Sequence, residues 1–443
     1  MQTAKIQTAQ VPRIEKHGLE SVPIELKTTK WYEYFILQMS FSVNSGNFLV
    51  PALAVINGGL SFFSAVLSTL LGAAIAFLFV SYLTYPGSKN GIPAQYAIRS
   101  MLGTIPARYI SSPIRSITSL YWFAVQTIGG TIVLIELGKK VFSVTIPFLP
   151  VAIFLAILMS VLALFGFDTV KKATKYFMPL LILGQLVLFY LFIRETANSE
   201  VNLPIFSLEG DISTYFFYSS LAFVQYVSGV SASADMARYS KSSSGAFWGL
   251  YAGNTFGFFL TALLGALSAT LLGEWNPFVA ASSLSSSLII LILIFICAMV
   301  SMISINLSNA YTGGFSLLNT FQTLGRVKSA TLFGIVAVTL SCFPTIVNQA
   351  QSYISLLGTL IIPISAVIVS DFLYIKKGAL TEEHLKSLFL NEQSVNTKAV
   401  ISILFGAILY SFLPDQWSPG FITFVVTIFL YYFVYIFQQK KVE

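Results

Sequence analysis

Charge is what this chain has least of. Asp, Glu, Lys and Arg together make up 10% of its 443 residues, against roughly 25% in soluble globular domains. So little charge excludes a soluble protein of this length. Cysteine is nearly absent too: Cys297 and Cys342 both fall inside apolar runs. They read as small buried hydrophobes and exclude a disulfide framework. The two histidines, His17 and His384, lie outside the apolar runs, so neither reads as a metal ligand. No Gly-x-x-x-x-Gly-Lys-Ser/Thr run occurs, which excludes a phosphate loop and coupling to nucleotide hydrolysis through one. No acid–base pair and no nucleophile with its base stands at mid-depth, so the chain reads as something other than an enzyme.

What the chain has is apolar length. Hydrophobic residues are 56% and aromatics 15% of the total, arranged in repeated runs near the 20 residues a helix needs to cross a bilayer. Twelve spans are expected, near 31–56, 60–84, 112–138, 145–166, 174–194, 212–235, 246–273, 284–312, 330–348, 352–375, 398–413 and 418–437. The expected class is an all-α polytopic membrane protein in contact with the lipid bilayer. Segment 1–30 is polar and lacks the apolar region of a cleavable signal, so it reads as a cytoplasmic tail. Residues 376–397 read as a solvated cytoplasmic loop, 398–437 as spans 11–12, and 438–443 as a cytoplasmic C-terminus. With the N-terminus inside, 22 of the 25 Lys and Arg fall on the cytoplasmic side, and only Lys139, Lys140 and Arg194 lie outside. This bias sets the orientation in a cell membrane with both termini cytoplasmic. It also accounts for the net charge of +7 without nucleic acid.

Polar residues inside the spans are the candidates for function, because they are costly there. Trp122 and Gln126 are four apart, so a helix stacks them on one face. A flat aromatic surface beside an amide suits a flat, hydrogen-bonding ligand. An interfacial belt for Trp122 and an interhelical bond for Gln126 are the structural alternatives. Asn306 and Asn309 share a face of span 8, with Ser301, Ser304 and Ser308 nearby. At least one of the two asparagines is expected to bond another helix. Span 1 carries Ser42-Val43-Asn44-Ser45-Gly46-Asn47, and span 6 carries Ser228-Gly229-Val230-Ser231-Ala232-Ser233-Ala234-Asp235. If spans 1–5 and 6–10 are two repeats, these weak points correspond, which points to a transporter site built on broken helices. Asp235 and Arg238 are expected to pair or to cap a helix end. Asp168 and Asp371, near lysines at cytoplasmic ends, read as solvated or ion-paired.

Several runs resemble the nucleobase–cation symporters of the first family of that name, which include cytosine and purine permeases and allantoin and hydantoin transporters. They are Asn90-Gly91-Ile92-Pro93-Ala94-Gln95, Arg99-Ser100 to Gly103, Arg115, and Trp122 to Thr127. Asp235-Met236-Ala237-Arg238-Tyr239 is similar to the family's span-6 ending, Asn306 to Gly313 to its span 8, and Pro363 to Tyr374 to its span 10. The resemblance implies a LeuT-type fold of two inverted five-helix repeats plus two C-terminal helices, with residues 31–375 as the transporter core. It implies that Trp122, Gln126 and Asn309 hold the substrate and places Tyr226 where relatives can carry Trp. Gln225, Asn306 and Asn47 join them as candidates. Ser304 matches the family's span-8 hydroxyl for a coupling ion, while its neighbours are Ile303 and Ile305. Ser301 and the span-1 residues Val43 and Gly46 complete the candidate ion site.

The expected function is secondary-active symport of a small planar heterocycle, a purine, pyrimidine, allantoin or hydantoin, by alternating access. No cofactor is expected beyond the coupling cation, Na+ or H+. The rivals are an amino-acid transporter of the same broad fold, which would need a glycine-rich span-1 break, and a membrane-embedded enzyme.

Overall fold

The computed structural model describes residues 20–164, 167–198, 210–390 and 394–439. His17 and the rest of segment 1–19, the side chains of Asp168, Lys171, Lys172 and Lys175, and Lys440 and Lys441 lie outside the described residues.

Helices stand at all twelve expected spans. Among the described residues, eight helical stretches are long and apolar enough to cross a membrane: Phe62–Asn90, Thr104–Phe142, Tyr176–Asn198, Ser243–Leu272, Leu288–Thr320, Gln322–Leu340, Ala350–Ile375 and Pro419–Phe437. Spans 4 and 11 are the shorter apolar helices Phe148–Ala163 and Thr397–Phe412. Span 1 is a bent pair, Trp31–Ser42 and Ser45–Ile56, meeting at 56°. Span 6 is Ile212–Val227, a 3-10 turn Ser228–Ser231 and a short helix Ser233–Ala237. Large apolar side chains such as Phe154, Leu186, Ile335 and Phe433 stay exposed on the outside of the bundle, as suits a lipid-facing surface.

Lipid removes the usual hydrophobic drive between helices, so close packing must hold the bundle together. Span 7 achieves it with Gly245, Gly249, Gly253 and Gly257, one every four residues along a single face. A Cβ on Gly253 would come within 2.7 Å of the Phe35 carbonyl oxygen, and one on Gly257 within 2.6 Å of Ser42. The first half of span 1 therefore lies directly on the span-7 backbone, and the glycine ladder ends beside the span-1 break.

Two segments differ from expectation. Residues 85–111, between spans 2 and 3, form a chain of short helices ending in a π turn at Ala107–Ser111. Most of them are buried, although Ile105 and Tyr109 are exposed, and they buttress span 6. The Gln95 amide donates to the Ser231 carbonyl at 3.0 Å, and Asp235 accepts the Ala94 N–H at 2.7 Å. Asp235 thus caps a helix of this inner segment, while Arg238 donates to the Gly91 carbonyl at 3.2 Å and to that of Glu20. The loop 376–397 is not wholly solvated either. It contains the helix Glu382–Leu390, which buries Leu388 in the core. Asp371 is buried, pairs with Lys376 and accepts the Tyr431 hydroxyl at 2.7 Å.

Candidate substrate and ion sites

The span-1 break begins at Asn44, whose backbone is extended (φ −156°, ψ 159°). Its Oδ1 accepts the Asn47 N–H at 3.0 Å, capping the second half-helix as Asn does well. Breaking a helix at depth frees carbonyls that have no water to turn to. The two asparagines supply the donors. Asn44 Nδ2 donates to the Phe41 carbonyl at 2.5 Å and to that of Ser42 at 3.3 Å, and Asn47 Nδ2 to Ser42 at 2.8 Å. The next carbonyl, of Val43, accepts the Ser301 hydroxyl from span 8 at 2.5 Å.

A cavity of about 170 Å³ opens beside this break. Trp122, Gln126, Tyr226, Gln225, Asn309 and Asn47 all line it, together with Asn44, Arg115 and Ser308. Trp122 packs edge-on to Tyr121 at 4.9 Å between ring centres. The Tyr226 ring is held by Phe77 at 4.7 Å and Phe258 at 5.1 Å, and its hydroxyl donates to Asn47 Oδ1 at 2.7 Å. Gln126 donates to Asn44 Oδ1 at 2.6 Å. Two aromatic rings and several amides thus converge on one partly apolar space, the usual make-up of a small-molecule site.

A family model described as a permease for cytosine/purines, uracil, thiamine and allantoin matches residues 21–435. The chain belongs to this permease family. A hydantoin permease of Microbacterium maritypicum is 22% identical over 368 residues, covering 78% of this chain and 74% of that protein. The putative purine-cytosine permease YxlA of Bacillus subtilis is 23% identical over 393 residues, covering 83% and 80%. Among solved structures, Mhp1, a nucleobase-cation-symport-1 family transporter in a closed conformation with bromovinylhydantoin bound, superposes with a TM-score of 0.78 at 15% identity, covering 97% of this chain and 96% of that one. The permease therefore has the LeuT-type fold, with spans 1–5 and 6–10 as inverted repeats. It is a transporter and not an enzyme. The amino-acid reading gives way to the family match.

Asn306 and Gly46 stand elsewhere than expected. Asn306 does not line the cavity. Its Nδ2 donates to the Phe123 carbonyl at 3.1 Å and to Thr127 at 3.2 Å, joining spans 8 and 3, and its Oδ1 accepts Asn309 Nδ2 at 3.1 Å. Span 3 packs against the Asn306 side of span 8, which leaves Ser308, Asn309 and Thr312 to face the cavity. Gly46 sits on the substrate side of the break: its carbonyl accepts Gln225 Nε2 at 3.1 Å. A Cβ there would lie 2.6 Å from Gln126 and 3.1 Å from Trp122.

The remaining ion candidates make two separate contacts between spans 1 and 8. Ser301 meets the Val43 carbonyl at 2.5 Å, and Ser304 lies 2.9 Å from the Ser40 hydroxyl. Ser40, absent from the sequence reading, lies in the last turn of the first half-helix, just before the break. Among the described residues no group of His, Cys, Asp and Glu is placed to hold a metal ion. Arg115 also joins the cavity unforeseen, donating to Ser228 at 3.3 Å and to Thr312 at 3.3 Å.

Proposed function

We propose that this permease carries one planar heterocycle of the nucleobase or hydantoin class inward across a cell membrane, driven by a cation gradient. The observation that carries the reading is the convergence of Trp122, Tyr226, Gln126 and Asn309 on one cavity beside the span-1 break. Trp122 and Tyr226 offer the π faces, and Gln126 and Asn309 read the edge; an amide has both donors and an acceptor for it. Gln225 and Asn47 hold Tyr226 in place, and Asn306 holds Asn309. Transport resides in residues 31–375, with spans 11–12 flanking it and both termini cytoplasmic, in keeping with the positive-inside bias.

Sodium is the ion this reading favours. Val43, Ser301 and Ser304 offer a carbonyl and two hydroxyls, the ligand types sodium takes beside unwound helices in related folds, and among the described residues no carboxylate lines the cavity. The test is uptake of radiolabelled cytosine, uracil, hypoxanthine, allantoin and hydantoin into proteoliposomes, with and without a sodium gradient. Sodium-stimulated accumulation of at least one ring is expected. No accumulation of any would refute the substrate class; accumulation driven only by a proton gradient would replace the ion.

A further inference from the structure

The backbone fixes the polarity of the amides around the cavity. Asn44 donates to the Phe41 and Ser42 carbonyls at 2.5 and 3.3 Å and accepts the Asn47 N–H at 3.0 Å. A carbonyl has no proton to give and a backbone N–H no lone pair, so this side chain has one orientation only. Gln126 must then meet Asn44 Oδ1 through Nε2, as it does at 2.6 Å. Gln225 is fixed in the same way: its Nε2 donates to the Gly46 carbonyl at 3.1 Å and to the Tyr226 oxygen at 3.1 Å. The Tyr226 proton is committed to Asn47 Oδ1 at 2.7 Å.

Two buried acceptors around the cavity are left without a partner. Gln126 and Gln225 are 2% and 7% exposed, both line the cavity, and the Oε1 of each is buried with no hydrogen-bond partner. Neither can be cured by turning the amide over, because Nε2 already faces an acceptor. Gly46 stands between them, packed on Gln126 and bonded to Gln225. A buried acceptor without a partner is costly, and a ligand proton removes that cost.

We propose that Gln225 is a specificity-determining residue that acts with Gln126 as a pair of acceptors, so that the permease selects heterocycles presenting two ring N–H donors. Imide and ureide rings satisfy both oxygens. Rings with a nitrogen lone pair or an N-alkyl group at either place leave an oxygen unpaired, and a site built to bond a ligand proton rejects such analogues strongly. This inference rests on the substrate class proposed above and goes beyond it by fixing which edge of the ring is read.

The test is equilibrium binding to the purified full-length protein in lipid nanodiscs, with uracil and hydantoin and their N-methylated derivatives, and with 6-methyluracil as a control for added bulk. Each N-methyl group is expected to weaken binding about tenfold or more, and the C-methyl group by much less. In Gln225→Leu the parent ring weakens by a similar factor, while one of the mono-N-methyl rings loses nothing further, since donor and acceptor of one contact are then both gone. Equal binding of N-methyl and parent rings, equal losses from N- and C-methylation, or a uniform loss across all ligands in Gln225→Leu would each overturn the acceptor pair while leaving the substrate class standing. Failure of every ring to bind the wild-type protein would remove the substrate class and the pair with it. If Gln225→Leu does not fold, Gln225→Met, which keeps the side-chain length and drops the oxygen, gives the same comparison.

Discussion

Spans 1 and 6 occupy corresponding places in the two repeats and both are interrupted, but they are finished differently. Span 1 bends by 56° at Val43 and Asn44, and side chains close by in sequence repair it: Asn44 and Asn47 take the freed carbonyls of Phe41 and Ser42. Span 6 passes through a 3-10 turn and is repaired only partly from within, by the Ser231 hydroxyl on the Ser228 carbonyl at 2.8 Å; the rest comes from outside, from Gln95 on the Ser231 carbonyl and Arg115 on the Ser228 carbonyl. The self-repaired break leaves its next carbonyl, Val43, to span 8 and its Gly46 carbonyl to span 6. One interruption thereby touches both the candidate ion site and the candidate substrate site. The span-6 break is tied to the inner segment 85–111 and contributes an aromatic ring and an amide.

The largest effect is expected where that self-repair is removed. Asn44→Ala deletes a helix cap and the donor to a buried carbonyl, and it leaves Gln126 without its acceptor. The combined loss is roughly 2 kcal/mol or more, and thermal unfolding in detergent should shift below that of Gln95→Ala, which removes one bond at the span-6 break and the acceptor of the Ser111 and Ser112 hydroxyls. Equal shifts for the two variants would mean that the breaks are supported alike.

Trp122→Ala comes next. Stacking on a base is worth roughly 1–3 kcal/mol by alanine substitution, so binding of the transported ring should weaken about tenfold or more while the thermal midpoint stays close to wild type. Unchanged affinity in the folded variant would remove Trp122 from the site.

The two asparagines of span 8 separate packing from recognition. Asn306→Leu strips a buried bond between spans 8 and 3 and should lower stability by about 1–3 kcal/mol. Asn309→Leu should reduce affinity, and unequally for rings with different edges, with stability nearly intact. The reverse pattern would exchange their roles.

Much of this was legible in the sequence, for identifiable reasons. Span number follows from apolar length, and the span-1 break shows as a polar cluster because Asn44 and Asn47 must satisfy the carbonyls that the break exposes. Trp122 and Gln126 were visible because four-residue spacing puts them on one face. What stayed hidden depends on partners distant in the chain. Asn306 and Asn309 share a helix face, and only the position of span 3 decides which one turns to the cavity. The buried course of residues 85–111 is short-range irregular structure with no period to read. The four glycines of span 7 were readable as a repeated small-x-x-x-small pattern, although their partner, span 1, was not.

The smallest effect concerns the ion, at the other side of the span-1 break. Ser301 bonds the Val43 carbonyl directly, whereas Ser304 bonds Ser40, inside the helix that precedes the break. If sodium binds here, Ser304→Ala removes a ligand but leaves the break's own hydrogen bonds in place. The sodium concentration for half-maximal substrate binding should rise severalfold, while affinity at saturating sodium stays near wild type. Linkage demands this separation, because the ion strengthens substrate binding only by its differential affinity for the bound and free states. Ser301→Ala also loosens the Val43 carbonyl, so its effect should persist at saturating sodium. The comparison is made by measuring substrate affinity in choline, potassium and sodium buffers at two pH values. Equal affinity in all three salts, with uptake that rises at acid pH and collapses with a protonophore, would assign the coupling to a proton and leave Ser304 a packing residue between spans 1 and 8.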